Sequence, residues 1–424
     1  MSDSNTEDNT KYNYEQEKCI IIHKQINSCL DVMQVHQTKI QICLKLCENF
    51  DVEYSNLVSN IGSVDKKLKN LNEKHVNVIL KHLNNSHLWN YDIFELDSMC
   101  NGNTLRFISG YLLSTFDIFN IFKIPLIVFD NFINKIQEGY SKHNNPYHNS
   151  IHASDVTQTV YSIITYYSNY SIHLSSIDIF ALIFSAIIHD HEHTGTNNAF
   201  HVSTRSDLAI LYNDVSVLEN HHIASAFKIL QDKDCNILSN MTDEQYRKFR
   251  SLTITLVLAT DMAFHFQYIK NITEMVESKD EITTVKALSM ILHAADISNP
   301  AKIWKYHSKW SIMLTKEFFN QGEKEKELNI PISPLCNEFR CNIAKSQIGF
   351  VTNIVKPCFE LLDKMLKKIL QQYYVEVAIS KSNSLIDFKE DVNEGLNTEI
   401  WLECCNSNIL DWNKIVEKDE NEQN

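Results

Sequence analysis

Hydrophobic positions recur with a helical period along almost the whole chain. Between Cys19 and Leu71 they step alternately by three and four, through Ile22, Ile26, Met33, Ile40, Phe50, Leu57, Val64 and Leu68, the spacing of a coiled-coil seam. As one helix, at about 1.5 Å per residue, this stripe is too long to leave in water. Pairing with a second copy, as a parallel homodimer through residues 19–71, is therefore expected. A helix folded back on its own domain would satisfy the same pattern, and His36, the cysteines of the seam and Gly62 weaken the paired arrangement. Residues 1–18 are too polar and acidic to build a core and read as disordered. The pattern divides the chain into that segment, a helical region at 19–76, one continuous helical region at 77–412 dense in aromatics and histidines, and an acidic tail at 413–424. The expected fold class is all-α, a compact helical bundle preceded by a long N-terminal helical region that is a candidate coiled coil.

Composition sharpens this picture. Only 8 Gly and 6 Pro occur in 424 residues, far below the usual ~7% and ~5%, so turn-formers are scarce. The formal charge of −14 argues against nucleic acid held through its phosphates, which would need a basic face. Eleven cysteines without paired spacing, and no signal peptide ahead of them, fit a reducing, cytoplasmic setting. The apolar run Ile179 to Ile188 is about half of the roughly 20 residues a spanning helix needs, so no transmembrane segment is expected.

That apolar run ends abruptly in His189-Asp190-His191-Glu192-His193. If the helix continues, His189 and His193 are i and i+4, with Asp190 on the same face. Two imidazoles and a carboxylate suit a borderline divalent metal such as Zn²⁺, with Thr194-Gly195 as the helix stop and His191 and Glu192 facing elsewhere. Upstream, Pro146 is placed to open a helix carrying His148 and His152 at the same i, i+4 spacing. Downstream, His293 and Asp296 end an apolar helix before Asn299-Pro300, and Glu219 to His222 interrupt another amphipathic helix. A lone histidine of this kind is most often a satisfied core or surface residue. Four such segments together point to a buried polar site inside the bundle, because desolvating these groups is costly without a shared charge partner.

The segments YHNSIHASDVTQT, HDHEHTGTNN, LYNDVSVLENHH, VLATDM, HAADISNPAK, EFFNQGEKE and SQIGF, in this order and spacing, resemble the catalytic domain of the class I cyclic nucleotide phosphodiesterases. The likeness runs from residue 88 to about 365 and is nearest the animal calmodulin-dependent branch, as in FKIP, HTGT, SPLC and SQIGF. It implies hydrolysis of 3′,5′-cyclic nucleotides to 5′-monophosphates at two divalent metals. His152, His189, Asp190 and Asp296 would bind Zn²⁺, and Asp190 would bridge to a second metal, Mg²⁺ or Mn²⁺. His148 would be the general acid and Glu317 would orient it, with His193, Asn198 and Glu219 holding ligands and metal-bound water. Gln347 would meet the purine edge between Phe350 and Leu314. Met262, Leu335, Phe318 and Trp310 would line the cavity, and Tyr147 its rim.

Two positions and one segment depart from the calmodulin-dependent pattern. Asn299 stands where that branch has His, as in cAMP-specific branches. An amide offers both donor and acceptor to adenine, which tilts the expectation toward cAMP with cGMP retained as a second substrate. Thr315 replaces a pocket Met. No clear calmodulin-binding segment is present, residues 64–83 being the best basic amphipathic stretch. Two other classes compete: a metal-dependent phosphohydrolase of other phosphoesters, for which a purine clamp has no purpose, and a helical scaffold with a relic metal site, for which a full ligand set has none.

Overall fold

The computed structural model describes residues 77–168, 174–380 and 399–423. The acidic segment 1–18, the heptad seam 19–71 and residues 64–76 of the basic stretch lie outside them. Among the described residues all regular structure is helical. After a helical stretch at 77–83 come α1 (Ile93–Met99), α2 (Thr104–Thr115), α3 (Ile118–Ile121), α4 (Leu126–Ser141), α5 (Ser150–Ser168), α6 (Ser176–Ile188), α7 (Asn198–Thr204) and α8 (Asp207–Leu211). They are followed by α9 (Val217–Ile229), α10 (Asp243–Leu258), α11 (His265–Glu277), α12 (Thr284–Asp296), α13 (Trp304–Glu327), α14 (Ile343–Phe350), α15 (Lys356–Ser380) and α16 (Glu399–Gln423). No single helix among these is long and apolar enough to cross a membrane.

Helix α6 is the axis of the bundle. It starts at a capping box, in which Ser175 caps the Asp178 backbone N–H and the Asp178 carboxylate accepts from the Ser175 N–H. From Phe180 to Ile188 every residue is buried. A helix apolar on all sides needs neighbours on all sides, and α6 packs against α2, α5, α10 and α12. Phe132, Phe184, Phe227 and Phe249 interlock around it. Apolar α12, buried from Ala287 to Ala295, packs alongside.

The structure corrects two expected helices. Residues 189–193 do not continue α6, which ends at Ile188 with His189 as its cap residue. The fully buried Tyr140 hydroxyl donates to the Ile187 carbonyl at 2.9 Å and accepts from the Asp190 N–H at 3.2 Å, so it occupies the place the next helical turn would fill. Glu192 then turns the chain through a left-handed φ of 61°. Nor does Pro146 open α5. That helix begins at Ser150, where the Asn149 side chain accepts from the N–H groups of Ile151 and His152, so His148 lies in the loop before it. At the other end, residues 413–423 continue α16 rather than forming a separate tail, and Lys345 pairs with Glu420.

One close approach fixes the segment leading into α14. A Cβ added at Gly322 of α13 would overlap the carbonyl oxygen of Cys336, so only glycine lets this loop lie against the helix. Gly322→Ala should therefore reduce the unfolding free energy by about 1–3 kcal/mol, read from denaturant unfolding. An unchanged midpoint would show that the loop moves aside at no cost.

Candidate active site

The turn after α6 delivers His189 and Asp190, the first turn of α5 delivers His152, and the last residue of α12 is Asp296. These four side chains, distant in sequence, bring one ligand atom each to within 4.8 Å of one another. His152 Nε2 lies 3.1 Å from Asp296 Oδ1 and 3.4 Å from Asp190 Oδ2, while His189 Nε2 lies 3.2 Å from Asp190 Oδ2. The Nδ1–H of His189 donates to the Ala186 carbonyl at 2.9 Å, which leaves a lone pair on Nε2. That lone pair faces two carboxylates and, at 3.3 Å, the Nε2 of His152. Asp190 Oδ2 is buried and accepts no hydrogen bond. Converging acceptors with an orphaned carboxylate oxygen are unfavourable by themselves and fit a divalent cation. Helices α6 and α12 both end here, and the partial negative charge at a helix C-terminus favours a cation too.

A second group adjoins it. His148 Nδ1 lies 2.5 Å from Glu317 Oε1, and Glu317 Oε2 accepts from the backbone N–H groups of Tyr147 and His148 at 2.9 and 3.1 Å. Burial opposes charge on both partners, but the pair outweighs it. The carboxylates of Glu317 and Asp190 hold His148 up to about 9, and His148 in turn holds Glu317 down to about 2. His193, stacked on the His148 ring at 3.9 Å, is pushed down to about 3 by burial and by that neighbouring charge. Asn145 joins the two loops by donating to the carbonyls of His193 at 2.6 Å and His148 at 3.1 Å. Opposite, Asn198 donates to Glu219 at 2.9 Å, and burial followed by the nearby Asp261 pushes Glu219 up to about 7.

These groups face one cavity of about 420 Å³. Of the residues singled out from the sequence, Tyr147, His148, Asp190, His193, Asn198, Glu219, Met262, Asp296, Asn299, Leu314, Phe318 and Phe350 line it. His152 and His189 are buried behind the two aspartates. Gln347 is buried with its Oε1 3.3 Å from the Ser311 hydroxyl and is not among the lining residues. Trp310 does not line the cavity either. It packs its ring 5.3 Å from Tyr147 and 5.9 Å from His152, as support. Leu335 is half-exposed on the loop before α14, and Thr315 is buried, both outside the lining. His293, a candidate with Asp296, turns away to hydrogen-bond His265 and the Ala259 carbonyl, at 2.8 Å each.

Sequence reasoning missed His222 and Asp261. The Nδ1–H of His222 donates to the His191 carbonyl, which aims Nε2 to within 3.6 Å of Asp190 Oδ1. Asp261 accepts from Ser216 and lines the cavity beside Glu219. Both lay within segments already singled out, ENHH and VLATDM, where nothing in the spacing distinguished them from their neighbours.

Residues 147–377 match the family described as 3′5′-cyclic nucleotide phosphodiesterase. Over 293 residues the chain is 47% identical to the human dual specificity calcium/calmodulin-dependent 3′,5′-cyclic nucleotide phosphodiesterase 1C, covering 69% of this chain and 41% of that protein. The 1B relative from Cricetulus griseus is 45% identical over 317 residues, 74% of this chain and 59% of its own length. The chain thus spans between about two-fifths and three-fifths of these relatives. Among solved structures, the phosphodiesterase domain of the RhoPDE fusion protein from the choanoflagellate Salpingoeca rosetta superposes with a TM-score of 0.67 at 28% identity, covering 79% of this chain and 97% of that one.

The cluster of His152, His189, Asp190 and Asp296 predicts that divalent cation stabilises the fold. At 100-fold excess over its dissociation constant, a metal ion should add about 2.7 kcal/mol to metal-stripped protein, seen as a rise in Tm. Asp190→Ala should lose that increment. An equal rise in the variant would place the ion elsewhere.

Proposed function

Since the chain belongs to the 3′5′-cyclic nucleotide phosphodiesterase family, we propose that it hydrolyses purine 3′,5′-cyclic nucleotides to 5′-monophosphates. The observation that carries this reading is the His148–Glu317 pair facing the same cavity as the His/Asp cluster. A proton donor stands beside a cation site, as cleavage of a phosphodiester requires. The residues fit Zn²⁺ at His152, His189, Asp190 and Asp296. Asp190, with water held by His193, Asn198 and Glu219, would hold a second ion, Mg²⁺ or Mn²⁺. Bound metal would supply Lewis acidity, neutralising phosphoryl charge and easing deprotonation of water.

The protein's own residues do the rest. His148, protonated at neutral pH, stands ready to donate to the 3′ oxygen as the P–O3′ bond breaks and water is added across it. Glu317 accepts from one ring nitrogen and from two backbone N–H groups, so it holds both the charge and the orientation of that ring. Phe350 and Leu314 face the cavity as apolar walls for a purine, with Asn299 as its polar reader, while Gln347 lies buried outside the lining.

Regulation by calmodulin belongs to the names of the 1B and 1C relatives. For this chain, residues 64–83 are its best support. Homodimerisation rests on the seam at 19–71, and a cytoplasmic setting on composition. On this reading the full-length chain sediments as a dimer and a variant lacking residues 1–75 sediments as an active monomer. A monomeric full-length chain would reject the pairing.

The central test is hydrolysis of cAMP and cGMP by purified protein with and without chelator. No metal-dependent hydrolysis of either would end the proposal. His148→Ala should cut turnover about 10²–10⁴-fold with metal content near normal, and loss of metal would reassign His148 as a ligand. In the unaltered protein, turnover should fall as pH rises through about 9, because His148 is protonated below that point and neutral above it.

A further inference from the structure

The segments YHNSIHASDVTQT and HAADISNPAK each bring a ligand to the cation cluster, and each also carries polar residues that do not line the cavity. Asp155 and Gln158 stand three and six residues after His152 on α5, and Lys302 stands six residues after Asp296. All three are buried. The Lys302 ammonium donates to Asp155 Oδ1 at 2.6 Å and to Gln158 Oε1 at 3.4 Å. It also lies 5.9 Å from the centre of the Trp89 ring, whose face attracts a cation. Residues three apart are neighbours on a helix surface, so Asp155 adjoins the ligand His152 along α5.

Both ends of this contact are anchored. Gln158 Nε2 donates to the carbonyls of Ser86 and Leu88 at 2.8 and 2.9 Å, which ties α5 to the segment before α1. On the other side, Trp89 Nε1 donates to the Ala301 carbonyl at 2.7 Å, and Asn408 of α16 donates to the carbonyls of Pro300 and Lys302 at 2.8 Å each. Lys302 therefore joins the helix that bears His152 to the turn that follows Asp296, the two ligands whose Nε2 and Oδ1 lie 3.1 Å apart.

The cluster does not hold itself together, because its lone pairs and carboxylates are poor neighbours until a cation arrives. Nor is a buried ion pair needed for stability, since apolar side chains of similar volume often serve as well. What the pair supplies is a short, directed contact between two ligand carriers. We propose that the buried Lys302–Asp155 pair is a clasp between α5 and the turn after α12, which presets the spacing of His152 and Asp296 before an ion binds. Lys302 and Asp155 are thus positioning residues for the metal cluster. This inference rests on the cation site assigned above.

The test measures the dissociation constant for Zn²⁺ on metal-stripped, full-length protein, by competition with a chromophoric chelator. Lys302→Met with Asp155→Leu replaces the pair by apolar side chains and leaves no buried charge unmatched. The metal-free Tm should stay within a few degrees, while the Zn²⁺ dissociation constant rises about tenfold or more. Arg106→Met with Asp130→Leu is the control, because that pair is also buried, is 2.6 Å long and joins α2 to α4, neither of which carries a ligand. It should leave the constant unchanged. An unchanged constant in the folded Lys302/Asp155 variant, or equal weakening in the control, would overturn the clasp. Should that variant fail to fold, Lys302→Gln with Asp155→Asn keeps a hydrogen bond, removes both charges and is read in the same way. Zn²⁺ held as tightly by Asp190→Ala as by the unaltered protein would defeat the cation site itself, whereas failure of the clasp alone leaves Asp190→Ala deficient in zinc.

Discussion

Two carboxylates at the cavity and two buried imidazoles behind them, with their ligand atoms within 4.8 Å, are the constraint around which the rest is arranged. Such a cluster is unstable against water unless a cation compensates it. The protein builds it at the ends of α6 and α12, where the helix dipoles oppose a carboxylate and favour a positive charge. Holding the four groups there needs rigid loops, which explains the buried Tyr140 hydroxyl at the end of α6 and the Asn145 amide between the His148 and His193 loops.

Helix α13 then runs along the cavity wall. Glu317, which accepts from His148, and His307, whose Nδ1 lies 3.0 Å from the Asn299 side chain, lie ten residues apart on this helix, about 15 Å along its axis. Leu314 and Phe318, between and beside them, face the cavity. A single helix thus sets the distance between the His148–Glu317 pair and Asn299, and a kink in it would misplace both together.

The helical class was legible from periodicity and scarce Gly and Pro, and the metal cluster from histidines and carboxylates following apolar runs. The turn at 189–193 was not. The residues His189, Asp190 and His193 carry no sign that Tyr140, fifty residues earlier, will plug the helix end, so local spacing suggested a helical face where tertiary packing made a loop. The resemblance supplied the ligands that spacing alone could not unite, His152 and Asp296 above all. It could not supply the partners of the Asn299 side chain, because His307, which approaches its oxygen, itself meets Trp412, 113 residues from Asn299, only in three dimensions.

The reach of α16 also has a consequence for how the protein is made. The contact between Trp412 and His307 spans 105 residues, and Asn408 reaches back 108 residues to Pro300. Contacts of such separation carry a loop-closure cost and form late. During synthesis the bundle around α6, the His/Asp cluster and α13 all emerge before α16 exists. The nascent chain can therefore bring together the His/Asp cluster and the His148–Glu317 pair before the turn at residues 299–302 gains its hydrogen bonds from α16.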